Sequence, residues 1–106
     1  MKEKLQIILA ELRHHLEALY GERLVRMILF GSQARGDAEA GSDIDVLVVL
    51  KGSVSPGQEI RRTSEMKAAL SLHYDVVISC TFISADRYAT EQSPLLLNVR
   101  REGVPV

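Results

Sequence analysis

LFGSQARGDAEAGSDIDVLVVL, residues 29–50, ends one apolar strand and begins another, and it places two acids, Asp43 and Asp45, at the mouth of the second. Carboxylates are costly to bury unless something neutralises them. Residues two apart on a strand project from one face, roughly 6.6 Å apart along the chain. Asp43 and Asp45 therefore point together, while Ile44 and Val46 point the other way. A pair so close repels itself, and a cation held between the two relieves the repulsion. Oxygen donors with no cysteine nearby suit a hard ion, Mg²⁺ or Mn²⁺.

The other half of the stretch reads as an anion cradle. Gly31 and Ser32 follow the strand, and SQARG forms one helical turn whose first amides face outward. Glycine permits close backbone approach, and the serine hydroxyl adds a donor. Arg35, three residues after Ser32, shares its face and can fork onto phosphate oxygens. No Gly-Lys-Ser/Thr follows, so this is not a Walker loop.

Working outward, Leu5, Ile8, Leu9, Leu12, Leu16 and Leu19 recur at helical spacing, predicting an amphipathic helix over 3–20 that stops near Gly21. Residues 23–30 and 43–50 read as strands, 58–72 as a helix with an apolar stripe through Ile60, Met66, Ala69 and Leu70, and 74–84 as a third strand. Two short helical pieces follow, divided at Pro94 and ended at Gly103. The expected fold is α/β, a small mixed sheet of three to four strands flanked by helices, in one domain spanning 1–106. Asp75 precedes the branched run VVIS as Asp43 precedes its own strand. If the two strands are neighbours, Asp75 completes a three-carboxylate site for two metals about 3.5–4 Å apart; otherwise it is a strand-end acid facing water.

Gly31-Ser32, ten intervening residues, Asp43-Ile44-Asp45 and a later Asp75 resemble the signature of the DNA polymerase beta nucleotidyltransferase superfamily. At about one in fifteen per identity, four such fixed residues match by chance roughly once in five hundred chains of this length. The wording of residues 30–50 resembles most closely the minimal nucleotidyltransferase branch. That resemblance implies a polymerase-beta-like fold, phosphates held by Gly31 and Ser32 with Arg35 beside them, two Mg²⁺ ions (or Mn²⁺) bound by Asp43 and Asp45, and Asp75 on the ion that activates the nucleophile. It implies attack of a hydroxyl on the α-phosphate of ATP or another nucleoside triphosphate. It also implies an antitoxin role, with AMP passed to a tyrosine of a helical HEPN-type partner toxin, and a site completed by that partner or by self-association.

Composition fits this reading. The 106 residues are 46% hydrophobic and 25% charged with a net charge of −1, which excludes a disordered chain and gives no sign of a dedicated nucleic-acid binder. No apolar run reaches membrane-spanning length, and the charged N-terminus is unlike a signal peptide, so a cytoplasmic protein is expected. The lone Cys80 reads as core filler. His14 and His15 do not share a helix face, and His73 is a solvated strand-end residue or an edge-of-site one. Arg61, Arg62 and Lys67, like Arg100 and Arg101, are a solvated face or a contact for an acidic partner or RNA. Two further functions fit the residues: a non-catalytic antitoxin that binds nucleotide and neutralises by contact, and a transferase acting on a small molecule such as an aminoglycoside.

Overall fold

Residues 46–50 of the strand Ile44–Leu50 have no exposed surface at all, because helices cover both faces of the sheet at that strand. A strand buried on both sides needs a continuous apolar run rather than alternation, and VLVVL supplies it. The computed structural model describes residues 2–39 and 41–106. In chain order these form α1 (Glu3–Tyr20), a 3₁₀ turn (Gly21–Arg23), β1 (Leu24–Phe30), α2 (Ser32–Arg35), β2 (Ile44–Leu50), α3 (Pro56–Tyr74), β3 (Ile78–Ser84), α4 (Ala85–Thr90), α5 (Pro94–Glu102) and β4 (Val104–Pro105).

The sheet is mixed, in the order β3-β2-β1-β4. β1 and β2 are antiparallel, Phe30 opposite Asp45, while β2 and β3 run parallel through the α3 crossover, Asp45 beside Ser79. The mouth of β2 therefore lies between the end of β1 and the start of β3. One layer of core joins Ile44, Val46, Val48 and Leu50 to α1 and α3, and a second joins Leu47, Val49 and Ile83 to α5. Ser84 and Ser93 cap α4 and α5 through their hydroxyls, and Pro94 occupies the first turn of α5, where its missing N–H costs nothing.

Three expectations change. The third strand begins at Ile78 rather than residue 74, because α3 continues to Tyr74 and the amides of Asp75 and Val76 both turn back onto the Ser71 carbonyl. The inward face of α3 is Glu59, Thr63 and Leu70, whereas Ile60 is 45% exposed. Glu59 is tolerated inside because the Tyr20 hydroxyl donates to its Oε1 at 2.6 Å and Arg62 approaches at 3.4 Å. β4, two residues pairing with Ile28 and Leu29, carries no pattern that a sequence reading could detect.

Candidate active site

The site begins with a missing atom. Gly31 has φ 77° and ψ −158°, a backbone region essentially reserved for glycine. A Cβ built there would stand 2.6 Å from Asp45 Oδ2 and 3.5 Å from its Cγ. The sequence reading gave the bare α-carbon to a nucleotide; its nearest neighbour in the fold is the Asp45 carboxylate. The end of β1 and the acid on β2 thus approach more closely than any other residue would permit.

Asp45 is half-buried beside its cross-strand partner Phe30. Burial pushes its pKa above the usual carboxylate range, the neighbouring Asp43 raises it further, and Arg35 offsets part of the rise. No hydrogen bond is among those influences. Arg35 directs its guanidinium elsewhere, Nε to Asp37 at 3.2 Å and Nη1 to Glu102 at 3.1 Å. Asp43, exposed just before the strand, completes the pair. Two oxygen donors, with Asp43 raising the proton affinity of Asp45 and Asp45 set in a recess kept open by a glycine, fit a divalent cation.

Next to the pair, α2 presents the amides of Ser32 and Gln33, which have no intrahelical acceptor because they open the helix. Sequence reasoning overlooked the residues that join this turn to Asp43. Gln33 Nε2 donates to the Ser42 carbonyl at 3.4 Å, and Ser42 closes its own turn, its Oγ accepting from the Glu39 amide at 2.9 Å while its amide donates to the Glu39 carbonyl at 3.0 Å. The only available signal was a serine beside an aspartate in a glycine-containing turn. Residue 40 of that connection lies outside the described residues.

Asp75 stands apart. It caps α3 in the left-handed conformation, φ 53° and ψ 53°, and is exposed. The parallel register sets Ser79 beside Asp45, and the Ile44 amide donates to the Val77 carbonyl at 2.8 Å, so Asp75 lies two residues beyond that point. Among the described residues no three acids, histidines or cysteines gather into a metal-sized cluster. A cavity of about 330 Å³ adjoins the mouth on the α1 side, with Leu5, Ile8, Ile44 and Val76 as its apolar lining and Ser42 and Asp75 also bordering it.

The remaining candidates fall outside this region. His14, His15 and His73 are exposed. Arg62 faces Glu59, Lys67 lies over the Phe82 ring, and Arg100 donates to the Tyr88 carbonyl while covering its ring. Much of the supposed basic surface is therefore engaged in packing. Cys80 is buried as expected, which pushes its thiol pKa up to about 11. Among the described residues no helix is long and apolar enough to cross a membrane.

Known proteins resemble the chain over most of its length. The family described as "Nucleotidyltransferase domain" matches residues 9–98. Two proteins of Methanocaldococcus jannaschii, each named "Putative protein adenylyltransferase", are similar to the chain. MJ0141 is 36% identical over 68% of this chain and 72% of its own length, and MJ1305 is 35% identical over 94% and 60%. Among solved structures, a toxin–antitoxin crystallised with AMP-PNP superposes with a TM-score of 0.63 at 19% identity, covering 98% of this chain and 72% of that one. A structure described as "putative minimal nucleotidyltransferase" gives 0.60 at 27% identity, covering 100% and 97%.

Proposed function

The chain belongs to the nucleotidyltransferase domain family, and from that premise we propose that it transfers AMP from ATP to a hydroxyl of a partner protein, releasing pyrophosphate. The observation that carries the proposal is that the Asp45 carboxylate occupies the space a side chain at Gly31 would need. It unites in one recess the two things such a reaction requires, a carboxylate pair and an outward-facing set of amides. Asp43 and Asp45 would hold Mg²⁺, two ions in the full site, with Mn²⁺ able to replace it. Bound there, the ions supply charge neutralisation for the triphosphate and a lowered pKa for the attacking hydroxyl.

The chain's own residues do the rest. The amides of Ser32 and Gln33 and the Ser32 hydroxyl orient the β- and γ-phosphates, and Arg35 exchanges Asp37 or Glu102 for a phosphate oxygen. Asp75 serves as the third acid on the acceptor side. The acceptor we assign is a tyrosine of a HEPN-type helical toxin, with this chain as antitoxin, a reading supported by the toxin–antitoxin likeness.

The test uses ATP labelled at either the α- or the γ-phosphate, Mg²⁺, and the protein encoded beside this one. Label from the α-position alone on a tyrosine of that neighbour is the expected result, lost in Asp43→Asn. A stable complex without label favours neutralisation by contact instead.

A further inference from the structure

We infer that Val77, just ahead of β3, and Ser79, on the Asp45 face of β3, form the floor on which the acceptor side chain lies, and that this floor selects a phenol over an aliphatic hydroxyl. The inference rests on the transfer reading above. In an in-line displacement the attacking and leaving oxygens lie on opposite sides of the phosphorus. With the leaving pyrophosphate at α2, beside β1, the hydroxyl must enter across the carboxylates from the far side. β3 is the strand there, and it is the sheet's last strand on that side.

Parallel pairing gives Ser79 the same face as Asp45, and Val77, whose carbonyl accepts from the Ile44 amide at 2.8 Å, leads into the strand two residues ahead of it. Both are exposed, and Val77 at 55% exposure is an uncovered apolar surface that neither core layer uses. A flat ring covers the Val77 methyls and still delivers its oxygen to the carboxylate pair; a serine or threonine hydroxyl leaves them bare. Ser79 is a small neighbour that leaves the ring's path open and can accept or donate one hydrogen bond. The phenolic oxygen bonds to the α-phosphorus as the bond to the pyrophosphate oxygen breaks. Pyrophosphate keeps that electron pair, and the phenolic proton leaves to water at the open edge of β3.

Amide chemical-shift mapping of the whole chain tests this in two stages. Mg²⁺ with α,β-methylene-ATP should first move the signals of residues 31–35 and 43–45; if it does not, the transfer reading fails and the inference falls with it. N-acetyltyrosinamide added to that complex should then move Val77 and Ser79, and N-acetylserinamide should do so at least fivefold more weakly. Val77→Thr and Ser79→Leu, which add no charge beside Asp43 and Asp45, should weaken the second response at least fivefold and leave nucleotide affinity within twofold of the parent. Leu72→Glu, at a residue 86% exposed on α3, should change neither. Phenol-induced shifts centred elsewhere, equal responses to both probes, or no response with nucleotide bound would each overturn the inference.

Discussion

Replacing Gly31 with alanine should cost both stability and metal, and the two losses have separate origins. The backbone at φ 77° and ψ −158° disfavours any side chain by about 1–3 kcal/mol. A domain of about this size loses roughly 4–8 °C per kcal/mol, so a melting temperature lower by about 5–20 °C is expected without metal. The added methyl would also stand 2.6 Å from Asp45 Oδ2, so the carboxylate must withdraw by about 0.8 Å to reach ordinary contact at 3.4 Å. Mg²⁺ requires near-ideal geometry, and comparable disturbances of a ligand's support cost about 10- to 100-fold in affinity. Gly52→Ala supplies the control: φ is 80°, yet nothing lies within 4 Å of the new methyl. It should melt lower and bind Mg²⁺ like the parent. Calorimetric melting of the metal-free proteins together with Mg²⁺ titration checks both halves. If Gly31→Ala binds Mg²⁺ as tightly as Gly52→Ala, the close approach to Asp45 does not organise the metal seat.

Asp45→Asn should raise the metal-free melting temperature at neutral pH and abolish its response to Mg²⁺. The folded pKa of Asp45 is raised, so the group's stabilising contribution is full below its unfolded value and fades as pH climbs through the folded one. Metal-free parent protein should lose stability across that window, Asp45→Asn should not, and Mg²⁺ affinity should increase over the same range. Tyr20→Phe removes the donor to buried Glu59 and should cost about 1–3 kcal/mol in denaturant titration, with less than the summed loss when Glu59→Leu is added. Asp75→Gly relieves a left-handed aspartate, so stability should rise by a few tenths to about 1 kcal/mol while AMP transfer falls; unchanged transfer would remove Asp75 from the site. Cys80, buried with its thiol pKa near 11, should react with iodoacetamide at neutral pH only as fast as the chain unfolds, a rate that mass spectrometry follows.

The features that were legible in the sequence are those written locally. The α1 stripe, the apolar run of β2 and the glycine after β1 each declare themselves within a few residues and appear where expected, except that Leu19 is exposed and Tyr20 ends the stripe in its place. What escaped depends on distant pairing. Ile60 and Glu59 exchange roles because Tyr20, 39 positions away, offers a hydroxyl to a carboxylate that periodicity would place outside. The start of β3 shifts because leaving α3 uses residues 75–77, a cost in chain length that hydropathy does not display. Gln33 reaches the Ser42 carbonyl with its side-chain amide, and Ser42 meets Glu39 through its own amide and hydroxyl, bonds whose partners depend on how the connection turns. The carboxylate pair could be read as a pair because strand alternation is a local rule; the position of Asp75 could not, because it depends on where a helix stops.

The antiparallel pairing of β1 with β2 and the parallel pairing of β2 with β3 divide labour along the chain. Everything assigned to the nucleotide's phosphates, and the carboxylate pair, lies between Gly31 and Asp45, within a single hairpin connection. Everything assigned to the hydroxyl's approach, Asp75, Val77 and Ser79, lies beyond a 19-residue helix. Such a chain is modular with respect to its own chemistry: residues 77–79 can be rewritten to admit a different acceptor while the donor half is inherited unaltered, and a graft of that segment between relatives should transfer target choice without transferring nucleotide choice.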